Sequence, residues 1–230
     1  PSPVRNLDDS LTPNQANGRF VYFNKLADGG FATCSSCHTL NPEKRQFGTD
    51  GFMVNDGFLF SQDFKIPQLR NLYQKVGMFG GPNFQRGGVN KHMGDQIRGF
   101  GFLHDGTAAT LEDFMFGTGA FIFDTEKDGE DITDFMLAYD TNHGPITGQQ
   151  ITLSRSSGAA ELSRLNLLLQ QARVKKCNLQ VNGYIAGMNV NAKYRDGRFV
   201  ANNSQVDDVW SRLGGNPGAV TFTCKPLASN

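Results

Sequence analysis

Apolar residues recur at helical spacing in several stretches of the chain and alternate over its last fifty or so residues. Thr12-Pro13 opens the first predicted helix, Thr12 as its cap and Pro13 in the first helical position, and Phe20, Phe23 and Ala27 mark its apolar face. Asp28-Gly29-Gly30 ends it. Pro67 opens a second, with Leu69, Leu72 and Tyr73 on one face, and Thr110 with Asp113 has the capping-box spacing of a third start. A fourth runs from Asp131 to Tyr139, where Ile132, Phe135, Met136 and Tyr139 follow the i, i+3, i+4, i+7 pattern of a buried face. That face is the natural partner of the Gly18 and Tyr22 side of the first helix. Residues 1–11 read as an irregular arm, Phe47 to Phe64 as a loop rich in Gly and Phe, and Thr141 to Gln150 as a linker.

Beyond the linker the pattern changes. Ala159 to Val174 carries helical periodicity through Leu162, Leu165, Leu169 and Ala172, then Leu179 to Ala186 and Met188 to Tyr194 alternate as strands. Asp196-Gly197 between Tyr194 and Phe199 is a hairpin turn signal. Val206 to Leu213 is expected as a short helix anchored by Trp210, followed by a last strand at Val220 to Cys224. The whole chain therefore reads as mainly α, with a domain over residues 1–145 and a small α+β domain over residues 150–230.

The chemistry concentrates in Cys34-Ser35-Ser36-Cys37-His38. Cys-x-x-Cys-His is the attachment signature of a c-type haem: two thiols add to the porphyrin vinyl groups and the adjacent imidazole ligates the iron. Two intervening residues set the sulfurs about one helical turn apart, which matches that task. A thioredoxin-like redox pair has no use for His38, and a zinc knuckle needs a second ligand pair nearby. One covalent haem c is thus expected, on Cys34, Cys37 and His38. The remaining cysteines, Cys177 and Cys224, are expected to form a disulfide joining the first strand of the small domain to its last.

Composition narrows the picture. With 22 basic and 22 acidic residues the chain has no cationic surplus, which excludes partners bound by polybasic surfaces, nucleic acid and anionic membrane among them. No apolar run approaches a membrane span. The 27 Gly and 19 Phe suit long aromatic loops around a flat apolar cofactor. Covalent haem and a structural disulfide both belong to oxidising, exported space, so a periplasmic or extracellular site is expected. A start at Pro1 fits a processed chain or a piece of a longer one.

Two segments then carry a family resemblance. Phe64-Lys65-Ile66-Pro67-Gln68-Leu69-Arg70-Asn71 and the later Phe102-Leu103-His104-Asp105-Gly106-Thr107-Ala108-Ala109-Thr110-Leu111-Glu112-Asp113 follow the haem motif in order. Over residues 10–145 the chain resembles the C-terminal haem domain of the bacterial di-haem cytochrome c peroxidase and MauG-type family, and its helix, glycine break and attachment site resemble the start of a class I cytochrome c. The resemblance implies a class I haem domain with long loops. In that family the distal iron ligand, Met or Tyr, lies on the helix after the His-Asp-Gly motif, at a place that corresponds here to Thr118.

Another distal ligand is therefore needed. Met78, flanked by Gly77, Gly80 and Gly81, is preferred, with Met115 on the same helix face as Thr118 as the alternative. Met53, Met93, Met136 and Met188 are assigned to packing. Arg70 is the candidate partner of a haem propionate, since its planar donor fork matches a carboxylate. His104 is read as a structural histidine beside Asp105, and His92 and His143 as surface residues. These features point to single-electron transfer with a redox partner protein. The rivals are a peroxidase or MauG-like oxidase, whose second haem would sit on an additional haem domain in a larger assembly, and a secreted binding module with a structural haem.

Overall fold

A computed structural model describes residues 2–55, 63–77, 99–103, 105–201, 204–205 and 213–227. The chain divides into two compact units, Ser2–Asn6 with Ser10–Asn142 and Leu7–Asp9 with His143–Asn230. Helix covers about 32% and strand about 26% of it, so the expectation of a mainly α protein is overturned. The alternation of Asn178–Ile185, Met188–Arg195 and Gly218–Lys225 is legible in the sequence, whereas the shorter strands (Leu40–Asn41, Gln46–Phe47, Met53–Asn55, Asp63–Lys65 and Gln150–Ser154) have little pattern of their own.

In the first unit, α1 spans Pro13–Asn24 and α2 is the single turn Cys34–Cys37. β1 (Leu40–Asn41) and β2 (Gln46–Phe47) form a hairpin, and β3 (Met53–Asn55) pairs with β4 (Asp63–Lys65). α3 spans Leu111–Gly117 and α4 spans Glu126–Leu137. Thr12 and Gln15 close a reciprocal capping box on α1: the Gln15 N–H donates to Thr12 Oγ1 at 3.3 Å and the Thr12 N–H to Gln15 Oε1 at 3.1 Å. The buried face of α1 is Gly18, Val21 and Tyr22, while Phe20 is 54% exposed and the helix stops short of Ala27. Partner choice decides this. A Cβ on Gly18 would collide with the Asp131 carbonyl of α4, so the two helices cross where Gly18 allows backbone contact. α4 itself begins before the predicted Asp131, because Thr125 Oγ1 accepts from the Asp128 N–H and starts the helix there.

The helix expected at Pro67 is absent. The Ile66 N–H donates to Phe52 O and the Leu69 N–H to Phe47 O, both at 2.9 Å, so this segment's donors are spent on the preceding loop. Asn71 then adopts a left-handed backbone (φ 57°) and leads into a 3-10 turn, Leu72–Lys75. Leu69 and Leu72 are still buried, in a core with Tyr22, Phe102, Ile132 and Phe135.

The second unit is an antiparallel sheet packed against one helix. Its strands are β5 (Gln150–Ser154), β6 (Asn178–Ile185), β7 (Met188–Arg195), β8 (Arg198–Ala201), β9 (Ser204–Gln205) and β10 (Gly218–Lys225), in spatial order β5-β10-β6-β7-β8-β9. α5 (Ala159–Arg173) places Leu165 and Leu168 in a core with Leu153, Val181, Val220 and Phe222. Both tight turns use left-handed pairs, Ala186-Gly187 (φ 52° and 78°) and Asp196-Gly197 (φ 50° and 89°), as two-residue hairpins require. The Cys177–Cys224 disulfide is present. It ties the residue before β6 to β10, two neighbours in the sheet, because β5, most of which lies past the linker in a stretch with no predicted element, is the unit's first strand. The helix anticipated around Trp210 lies outside the described residues, though Leu213 at its end is buried in this core. Among the described residues no helix is long and apolar enough to cross a membrane.

Candidate functional site

The site is assembled on α2. One helical turn sets Cys34 and Cys37 one above the other, and its closing bond, from the His38 N–H to Cys34 O at 2.9 Å, carries His38 out of the end of that turn. The base is held from beneath by α1 and the segment just past α4: Tyr22 Oη donates to His38 O and lies 2.8 Å from Tyr139 Oη. A carbonyl only accepts, so the Tyr22 proton points at His38 and the Tyr139 hydroxyl donates to Tyr22. Both phenols are buried and their pKa values raised, chiefly by desolvation, which keeps them as neutral donors.

The imidazole is set in one tautomer. His38 Nδ1 lies 2.9 Å from Gly48 O and 3.2 Å from Pro67 O. Two carbonyls face it, so Nδ1 carries the proton and the lone pair stays on Nε2, the arrangement of a metal-ligating histidine with its outer partners in place. Burial pushes the His38 pKa down, partly offset by those two carbonyls and by Asp28, and so favours the neutral ring. The positions of both carbonyls depend on the extended Ile66–Leu69 segment, where the Leu69 N–H bonds to Phe47 O next to Gly48.

His38 lines a cavity of about 460 Å³, within the range of about 300–1,000 Å³ usual for small-molecule sites. Its wall is mostly apolar, with Leu69, Leu72, Phe102, Leu111, Phe114 and Met136. The cations on it are Lys65 and Lys75, and among the described lining residues there is no carboxylate. Cys34 and Cys37 stand on the turn that carries His38 and are not among the lining residues. Both are free thiols. Burial pushes the Cys34 pKa up to about 12 and raises that of Cys37, with Asp28 adding to both shifts. A redox Cys-x-x-Cys pair works through a lowered thiol pKa, so the shift here is of the opposite sign. Among the described residues no group of three or more His, Cys, Asp or Glu could hold a bare metal ion.

The other predicted residues are scattered. Met78, His104, His92 and Met93 lie outside the described residues. Met115 is buried in the α3 core and does not line the cavity. Arg70 does not line it either: its Nε donates to Gln68 Oε1 at 3.2 Å and its guanidinium covers the Phe47 ring at 5.4 Å. Met53 and Met188 are exposed, and His143 is half-buried. Met136 is buried in the core, as its packing role in the α4 apolar stripe predicts, and it also brings a thioether to the cavity wall. Lys75, a polar position in a predicted helix, carried no signal of its inward orientation.

The donor set and the cavity fit a porphyrin iron: a neutral imidazole with a free Nε2, two thiols on the same turn, an apolar wall and a thioether. Comparisons with protein-family models, curated proteins and solved structures find no match for this chain.

Proposed function

We propose that this protein is a mono-haem c-type cytochrome that exchanges single electrons with a redox partner protein, related to the C-terminal haem domain of the di-haem cytochrome c peroxidase and MauG-type family. The observation that carries the reading is His38, whose Nδ1 proton is committed to Gly48 O and Pro67 O and whose Nε2 lone pair is thereby reserved. Cys34 and Cys37 would hold the haem through thioether bonds, and His38 would be its proximal ligand. When bound, the haem supplies a one-electron iron couple whose potential rises with His and Met ligation. The chain keeps His38 neutral, holds its ring through Tyr22 and the two carbonyls, and excludes water with Leu72, Phe102 and Phe114.

A thioether on the cavity wall favours electron transfer over the peroxidase reading, which needs an open iron face. Met136 joins Met78 as a candidate for that position. An exported location agrees with the Cys177–Cys224 disulfide, a bond of oxidising compartments. The test is expression in a host with c-type haem maturation. Porphyrin that stays with the denatured protein in acidified organic solvent, a porphyrin mass on the Cys34–His38 peptide and a low-spin ferric spectrum with a near-infrared thioether band are expected. Extractable porphyrin would refute the attachment, and a high-spin spectrum with peroxide turnover would move the assignment to the peroxidase.

A further inference from the structure

The cavity's charge is unbalanced in a way the haem reading alone does not use. Lys75 ends the 3-10 turn, half-buried, with Nζ 5.5 Å from the Phe102 ring centroid and its side chain on the same wall as His38 and Met136. Its backbone is pinned. The Gly101 N–H donates to Lys75 O at 2.7 Å, the Gly99 N–H to Val76 O at 2.8 Å, and a Cβ on Gly99 would come within 2.7 Å of Lys75 Cα. Gly77, two residues beyond Lys75, forms a parallel bridge with Gly99, which holds this end of the segment against residues 99–101. Desolvation lowers the Lys75 pKa, the mark of a cation held away from water with no anion to offset it among the described residues. Lys65, the other cation on the wall, is exposed, and Arg70 is engaged by Gln68 and Phe47.

An apolar cavity that takes up a carboxylate must supply a countercharge, because an isolated buried ion is expensive. We propose that Lys75 receives a carboxylate of the bound group, a haem propionate, and through that pair sets the potential of the iron. The proposal rests on the haem reading above and replaces Arg70 in the role expected of it. Removing a nearby positive charge favours the oxidised iron, so the potential must fall when Lys75 is neutralised.

The experiment is a spectroelectrochemical titration of matured wild-type protein and its Lys75→Met, Lys75→Arg and Lys65→Met variants. Lys75→Met should lower the reduction equilibrium constant about tenfold, roughly 59 mV for a one-electron couple, while Lys75→Arg and Lys65→Met stay within about twofold of wild type. Attached haem with an unshifted Lys75→Met potential overturns the Lys75 assignment alone. Wild-type protein without attached porphyrin overturns the haem reading, and the Lys75 assignment with it. If Lys75→Met yields no holoprotein, redox-difference infrared spectra of wild type and Lys75→Arg decide: a shifted propionate carboxylate band supports the pair, and superposable spectra overturn it.

Discussion

Tyr22 does more at the site than its place in the core indicates. Its hydroxyl passes a hydrogen bond from Tyr139 to the His38 carbonyl, so one phenol joins α1 and the residues just past the end of α4 to the turn that carries the imidazole. Tyr22→Phe leaves the His38 carbonyl and the Tyr139 hydroxyl without a partner in a dry interior. A loss of about 1–3 kcal/mol in urea denaturation is expected. Asp128 makes a separate prediction about acid. It accepts from Lys25 Nζ at 2.8 Å and from Thr125 Oγ1 at 3.0 Å, and the Lys25 bond, foremost, holds its carboxyl below the ordinary value of 3.8. The folded state therefore binds this proton less readily than the unfolded chain. The stabilisation is fully present above the unfolded pKa and disappears as pH falls through the lower folded value. Stability measured from pH 6 down to pH 2 should decline more gently in Asp128→Asn than in wild type, and parallel curves would refute the assignment.

At the scale of elements, the crossing of α1 on α4 holds the Cys34–Cys37 turn in place. Gly18 faces the Asp131 carbonyl with no room for a methyl group, and backbone cannot move aside as a flexible side chain would. Gly18→Ala should cost about 3 kcal/mol or more, the upper end for overpacking, read as a drop in the denaturation midpoint. An unchanged denaturation midpoint would show that the helices separate freely. The segment after Pro67 shows the converse dependence. A helix there would withdraw the Pro67 carbonyl from His38 and the Leu69 N–H from Phe47, so the irregular path is the one that orients the imidazole.

At the scale of the molecule there are two compact units, each with its own core. In the second unit the Cys177–Cys224 bond closes a sequence separation of 47 residues. Loop-closure entropy assigns such a bond about 4 kcal/mol, and Cys177→Ser with Cys224→Ser is expected to lower the unfolding free energy of the second unit, read from urea denaturation, by about that amount. If the first unit holds the proposed haem, its Soret spectrum should be unchanged by the pair of substitutions.

Short-range chemistry encodes the local features of this chain. Thr12, Pro13, Thr110 and Asp113 mark helix starts through their own backbone bonds, Asp196-Gly197 forms its turn from its own backbone freedom, and Cys34, Cys37 and His38 share one turn because two residues separate the thiols. Phe20 and Val21 differ in exposure only because α4 lies on one side of α1, and β5 is a strand only because β10 offers it a ladder. The inward course of Met136 and Lys75 depends on which walls meet to enclose the cavity, a matter of contacts distant in sequence. Tertiary structure decided these positions, since burial and pairing belong to neighbours that a local pattern does not contain.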